Sequence, residues 1–195
     1  MSSIPNKLII IAAPSGSGKT SVTRHLLKAF PRQLGFSISA ATRSPRNNEK
    51  DKVDYYFISV NEFKNKIKLG EFAEWEMVYD DKYYGTLKSE LQRIWQQHKI
   101  PLLDVDVQGG IHIQELYPQN SLSLFIEPPS IEELQRRLEA RGTETPQSLQ
   151  ARINKASIEL SFKHFFNRII INDNLERACK EAEQIVREYL IPPTS

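Results

Sequence analysis

Ala13-Pro14-Ser15-Gly16-Ser17-Gly18-Lys19-Thr20 stands between an apolar run, Leu8-Ile9-Ile10-Ile11-Ala12, and an amphipathic stretch that begins at Ser21. The order reads strand, glycine-containing loop, helix. Such a loop aims several backbone N–H groups and the positive end of a helix dipole at one point, while Lys19 adds a mobile charge and Thr20 a hydroxyl suited to Mg²⁺. The ligand these groups fit is a polyphosphate. The Walker A pattern asks for Gly at its first position, where this chain has Ala13; Gly16, Gly18, Lys19 and Thr20 all remain. A helix N-terminus with chance glycines would share some of these letters, but the flanking strand and helix favour phosphate binding.

The 195 residues around this loop suffice for one domain, or one domain with small inserts, and for a substantial core. Apolar content of 39% and charged content of 26% are ordinary for a soluble globular protein. With 26 basic residues against 24 acidic ones, the net charge of +2 is too weak to argue for a nucleic-acid surface. The single cysteine, Cys179, excludes an internal disulfide and fits a reducing compartment. It falls on the apolar stripe of the last helix, which favours packing over reactivity. No apolar run approaches the roughly 18 to 20 residues a membrane span needs, and the first residues lack a signal-peptide pattern. A cytoplasmic location is expected.

Downstream of the loop, Val22, Leu26, Leu27 and Phe30 mark one face of a helix that stops at Pro31. Residues 34–40 alternate like a strand, and an exposed loop runs from Thr42 to Lys52. A strand over 53–58 follows, then a helix to Lys68 opened by a capping box of Ser59 and Glu62. Residues 72–79 look extended, 80–82 form a turn and 83–85 a short return strand. This stretch of short strands and turns differs from its surroundings and reads as an inserted β-rich subdomain. Beyond it, helical spacing over 87–98 leads to a buried strand at 100–107, in which alternation would place Asp104 and Asp106 on one side. Gln108-Gly109-Gly110 is expected to turn the chain into a short helix ending near Pro118. A strand at 121–126, a helix opened by Ser130 and Glu133, a polar break at 141–146, a helix over about 147–162, a strand at 168–172 and an apolar-striped final helix complete the chain. Strands separated by helices imply an α/β fold, a parallel sheet covered on both faces with ligands at its carboxyl edge.

Several residues carry candidate chemistry. Asp104 ends an apolar strand and is expected in the Mg²⁺ shell opposite Thr20, although a strand-end acid also serves as a local cap. Arg43 and Arg46 lie in the exposed loop, while Arg136, Arg137, Arg141 and Arg152 surround the later polar break. Arg137 and Arg141 share one face if their helix continues. Guanidinium groups bind phosphate bidentately and cancel charge on a transferring phosphoryl group. For any single one of them a solvated surface residue is the better reading; the clusters gain weight from the phosphate loop. Within the insert, Ser39, Tyr55, Tyr84 and Thr86 offer hydroxyls and Glu74 a carboxylate, though tyrosines there also suit packing and Glu74 an ordinary strand position. A carboxylate accepts from N1–H and the exocyclic amine of guanine together. Adenine lacks that pair, and a site built for missing hydrogen bonds rejects the analogue by about 10⁴ or more.

At this point the chain resembles guanylate kinase, the family that phosphorylates GMP with ATP, over nearly its whole length from about Leu8 to Tyr189. The resemblance rests on A-P-S-G-S-G-K-T at 13–20, F-S-I-S-A-A-T-R-S-P-R at 36–46, D-Y-Y-F at 54–57, E-F-A-E-W at 71–75, Y-Y-G-T at 83–86, D-V-D-V-Q-G at 104–109 and R-R-L-E-A-R-G-T-E-T at 136–145. It implies a P-loop kinase core with a parallel sheet flanked by helices (1–36, 89–129 and 161–195), an inserted β-rich GMP-binding subdomain (37–88) and a helical lid (130–160). Carried across, the loop from Ala13 to Thr20 would hold ATP, with Asn172 near its adenine. Ser39, Glu74 and Asp106 would read guanine. Arg43, Arg46, Tyr55 and Tyr84 would hold the GMP phosphate, with Thr86 at a hydroxyl position of the same site. Lys19, Arg137, Arg141 and Arg152 would stabilise the phosphoryl group in flight, and Thr20 and Asp104 would serve Mg²⁺, partly through water. The chain departs from the family pattern at Ala13, at Ala40-Ala41 and in a turn at 80–82 that is one residue longer, which leaves the register of Tyr83 and Tyr84 open. Two rivals stand beside this reading: a noncatalytic guanylate-kinase-like module that binds a phosphorylated protein, and a P-loop kinase for another small acceptor.

Overall fold

In the computed structural model, residues 6–46, 49–79, 81–140 and 145–191 are described. The apolar run before the loop forms strand β1 (Leu8–Ala12), buried at every position. It is the middle strand of a five-stranded parallel sheet with β2 (Leu34–Phe36), β7 (Ile100–Val105), β8 (Ser121–Glu127) and β9 (Arg168–Ile171), in the order β2-β7-β1-β8-β9. Ile9 pairs with Leu102 on one side and Leu122 on the other. A continuous apolar strand is what a sheet covered on both faces requires.

Both covers are present. Helices α1 (Lys19–Ala29) and α7 (Leu175–Leu190) bring Val22, Leu26, Ala178, Ala182 and Val186 against Ile9, Ile11 and Leu124. Cys179 is buried in the same cluster, as its stripe predicts. On the opposite face, α3 (Lys88–Gln96) and α4 (Val107–Leu116) place Leu91 and Ile113 against Leu8, Ile10 and Leu103. No helix among the described residues is long and apolar enough to cross a membrane.

The insert forms a separate sheet in the order β4-β3-β6-β5, from β3 (Ser39–Ala41), β4 (Tyr55–Phe57), β5 (Phe72–Tyr79) and β6 (Lys82–Leu87). Its own small core stacks Phe63 of α2 (Val60–Lys68) on Phe72, with ring centroids 4.3 Å apart. Ala40 and Ala41 are wholly buried here, so apolar side chains suit these positions. Of the capping box expected at Ser59 and Glu62, the Ser59 half forms, its Oγ accepting from Glu62 N at 3.1 Å.

Four expectations are corrected. The strand expected over 34–40 is two strands in two sheets. Ser37 N still donates to Leu102 O, but Ile38 N donates to the Glu90 carboxylate at 3.1 Å, and the chain crosses to the insert. The strand expected over 100–107 ends at Val105, because Asp106 caps α4 by accepting from Gly109 N at 2.8 Å. Gly109 and Gly110 therefore lie inside a helix, not a turn. Their missing side chains allow close packing: a Cβ at Gly109 would sit 2.6 Å from Glu74 Oε2, and one at Gly110 would sit 3.2 Å from Ala12 Cβ. The strand expected over 53–58 also shortens to β4, since Lys52 turns the chain with φ 62° and donates its N–H to Tyr55 O.

Helix α5 (Ile131–Ala140) starts with Ser130 Oγ accepting from Glu133 N at 3.1 Å. The reciprocal half of the expected box is replaced, as Glu133 turns to Arg136 and Arg137. Helix α6 (Pro146–Ser161) opens with a full capping box between Thr145 and Ser148. The two helices pack through Leu134, Leu138, Leu149 and Ala156.

Candidate functional site

The loop at residues 13–20 leaves β1 at the carboxyl edge of the core sheet. Gly16 and Gly18 take φ of 97° and 94°, a left-handed backbone that disfavours any Cβ. Ala13 has no such conformation, so the missing first glycine brings no strain. Asn172 Nδ2 donates to Ser17 O at 2.7 Å from beneath the loop, and a Cβ on Gly18 would meet that same nitrogen at 2.2 Å. Lys19 Nζ donates to Val105 O at 2.5 Å and pairs with Asp104 Oδ1 at 2.6 Å. Burial opposes the charge on Lys19, yet Asp104 outweighs it and holds the ammonium above the ordinary lysine range.

A cleft of about 230 Å³ separates this loop from the insert and α6. Ala13, Ser15, Lys19, Thr20, Asp104 and Asp106 line its core side. Ser39, Arg43, Arg46, Tyr55, Glu74 and Tyr84 line the insert side. Arg152 closes it from α6, donating from Nη1 to Ser15 Oγ at 2.7 Å. Asp104 and Asp106 do face one cavity, although the second does so as a helix cap rather than by strand alternation.

On the insert side, Arg43 Nε donates to Tyr84 Oη at 2.9 Å, and its guanidinium lies 5.0 Å from the centre of the Tyr55 ring. Tyr83 points the other way, into the insert core beside Phe63. The register left open by the longer turn is thus resolved with Tyr84 on the cleft. Glu74 is 7% exposed and accepts from Thr86 Oγ1 at 2.7 Å. Burial pushes its carboxyl up to about 7, against the Thr86 hydrogen bond and with help from Asp106. Thr86 is wholly buried behind Glu74 and acts on the cleft through it.

Other expected residues stand off the cleft wall. Pro14, Gly16, Ser17 and Gly18 frame the loop, and buried Asn172 braces it. Arg137 donates to Glu133 Oε1 at 2.8 Å and to Asn172 O at 2.9 Å, outside the cleft lining. Arg141 lies outside the described residues. The cleft also holds residues the sequence reading passed over: Glu76, Lys155 and Glu159. Lys155 Nζ lies 3.7 Å from Asp106 Oδ2 and 3.4 Å from Glu159 Oε1. Arg152, Lys155 and Glu159 recur at helical spacing, a signal that would have marked one face of α6.

A glycine loop on a parallel sheet, faced across a cleft by a basic and tyrosine-bearing insert, makes this a P-loop kinase fold. The comparisons narrow the class. The guanylate kinase family model matches residues 5–189, and the chain belongs to that family. It is 48% identical to a guanylate kinase of Bacteroides fragilis over 184 residues, covering 94% of this chain and 90% of the relative. A guanylate kinase of Porphyromonas gingivalis is 44% identical, with 94% and 98% covered. The crystal structure of guanylate kinase from Anaplasma phagocytophilum superposes with a TM-score of 0.78 at 27% identity, covering 96% of this chain and 87% of that one.

Proposed function

We propose that the protein is an ATP:GMP phosphotransferase, moving the γ-phosphoryl group of ATP to GMP to give ADP and GDP, with dGMP as a second acceptor. The observation that carries this reading is the single cleft that sets Lys19 and Thr20 against Arg43, Tyr55, Tyr84 and Glu74. In this reading the loop from Ala13 to Thr20 takes the ATP phosphates, and Asn172 belongs to the ATP side. Arg43, Arg46, Tyr55 and Tyr84 hold the acceptor phosphate; Ser39, Glu74 and Asp106 read the base, with Thr86 holding Glu74 from behind. Residues 37–88 serve as the acceptor insert and 130–160 as the lid. The buried thiol of Cys179 and the absence of a membrane-crossing helix among the described residues suit work in the cytoplasm.

The attacking oxygen belongs to a phosphate that is already anionic, so no strong general base is required. Catalysis is positioning and charge neutralisation, supplied by Lys19 and Arg152 on the cleft and by Arg137 and Arg141 once closure excludes water. For Mg²⁺, the described residues offer no cage of three or more ligating side chains. One carboxylate, Asp104, and one hydroxyl, Thr20, both on the cleft, suit an ion that keeps several waters and leans on substrate phosphates. When bound, it would neutralise charge on the transferring phosphates.

The test is ADP formation from ATP and Mg²⁺ against GMP, dGMP, AMP, CMP and UMP, with Lys19→Met alongside. Turnover confined to guanine acceptors and lost in the variant supports the assignment. GMP binding without turnover would favour a noncatalytic module, and turnover of a different acceptor would replace GMP.

A further inference from the structure

The exposed loop of the insert carries an acid that the proposed mechanism does not use. Glu49 Oε2 accepts from Arg43 Nη1 at 2.5 Å and Glu49 Oε1 from Arg43 Nη2 at 2.7 Å, an end-on bidentate pair. The same Oε2 accepts from the backbone N–H of Arg46 at 2.8 Å. Arg43 Nη1 also donates to Ser44 O at 3.0 Å, and its Nε is given to Tyr84 Oη. The pair is well shielded, with side-chain exposures of 10% for Arg43 and 18% for Glu49.

Position decides what this carboxylate does. Arg43, Arg46 and Tyr84 line the cleft, whereas Glu49 does not. The acid therefore grips the end of the guanidinium that faces away from the cavity. On the side edge, Nε is already given to Tyr84 Oη, a residue of the cleft, and one N–H of Nη2 is left for a ligand there. A free arginine loses rotamer entropy when a ligand immobilises it, so fixing it beforehand strengthens binding.

We propose that Glu49 is a positioning residue for the acceptor phosphate: it fixes the guanidinium plane of Arg43 and, through the Arg46 backbone, the spacing between the two arginines. The inference rests on the reading above that this pair holds the phosphate of GMP. Glu49 touches no substrate. It acts by leaving one edge of Arg43 oriented and by lowering the mobility of the loop that carries both cations.

The test compares Glu49→Gln, Glu49→Asp and Arg43→Ala in the full chain, measuring KM for GMP and for ATP, and direct binding of GMP and of guanosine. Glu49→Gln keeps the shape but sets an amide N–H₂ against one guanidinium N–H. It is expected to raise KM for GMP by about tenfold, the equivalent of one lost charge-assisted hydrogen bond, while KM for ATP and guanosine binding stay within about twofold. Glu49→Asp, which retains the carboxylate, recovers part of the loss. Equal losses of GMP and guanosine would make Glu49 merely structural and overturn the proposal, as would unchanged or tighter GMP binding in Glu49→Gln. Arg43→Ala separates the two failures. If it weakens GMP while Glu49→Gln does not, only the role of Glu49 falls; if Arg43→Ala leaves GMP untouched, the acceptor-phosphate reading itself falls and takes Glu49 with it.

Discussion

Lys19 of the loop and Asp104 at the end of β7 form an ion pair at 2.6 Å, so the loop's cation is tied to the neighbouring strand rather than left to solvent. The pair keeps Lys19 charged despite its burial. Methionine at this position keeps an unbranched side chain one atom shorter and removes the charge. Lys19→Met is expected to lower kcat on the order of 10³-fold, the scale seen when a single charge-stabilising donor is removed, with an unchanged far-ultraviolet circular dichroism spectrum. Turnover within tenfold of the parent would refute the role.

Glu74 gives a pH dependence with a definite sign. Its carboxyl is raised to about 7 from an ordinary 4.5, so the folded chain keeps a proton that the unfolded chain releases between those values. This group's contribution to stability is full below about 4.5 and is lost as pH rises to about 7. In the proposed role Glu74 accepts from guanine in its ionised form, so GMP affinity should fall below about pH 7, by at most about tenfold per pH unit. Calorimetric titration across neutrality measures the slope. Glu74→Gln should bind GMP weakly at every pH and without that slope, which separates Glu74 from the acceptor's own phosphate.

Gly109→Ala sets helix propensity against the site. Alanine favours a helix interior by about 1 kcal/mol over glycine. Its Cβ, however, would sit 2.6 Å from Glu74 Oε2 and 3.1 Å from Asp106 Oδ1. The expected result is a melting temperature at or near that of the parent, together with a KM for GMP raised by about tenfold or more and an unaffected KM for ATP. Steady-state kinetics with each substrate varied in turn would show the split, and equal changes in both would contradict it.

Glu90 joins the two sheets. Its carboxylate accepts from Arg93, from Ile38 N at the crossing and from Tyr56 Oη at 2.7 Å in the insert. Burial and this acid together push the Tyr56 hydroxyl up to about 12. Glu90→Ala removes the acceptor of a partly buried N–H and hydroxyl, and urea unfolding should report a loss of about 1 to 2 kcal/mol. A loss below about 0.5 kcal/mol would mean that water replaces the carboxylate fully.

The core was legible in the sequence wherever one periodicity ran unbroken. The run from Leu8 to Ala12 and the stripe of α7 needed no tertiary information. The crossing at 37–38 was not legible, because the alternation over 34–40 continues through it and only Glu90, far along the chain, marks where the backbone changes sheets. Gly109 and Gly110 look like a turn by composition; the close approach of Glu74 and Ala12 that excludes side chains there is a property of the packed structure. Among site residues, the arginines and tyrosines of the insert were readable as a cluster. Lys155 and Glu159 were not, since only the docking of α6 brings them to the cleft.

Strand pairing in the two sheets sets an order of assembly. Trp75 pairs with Gly85 across a short hairpin, and Ser39 with Tyr55 a little further apart. Ile9 must wait for Leu102 and Leu122. Short loops close at lower entropic cost than long ones, and every pairing of the insert spans less chain than that of Ile9 with Leu102. During synthesis β1, apolar at every position, emerges early and stays unpaired until β7 and β8 have left the ribosome. The strand that anchors the nucleotide loop therefore gains its sheet neighbours only after the whole insert has been synthesised.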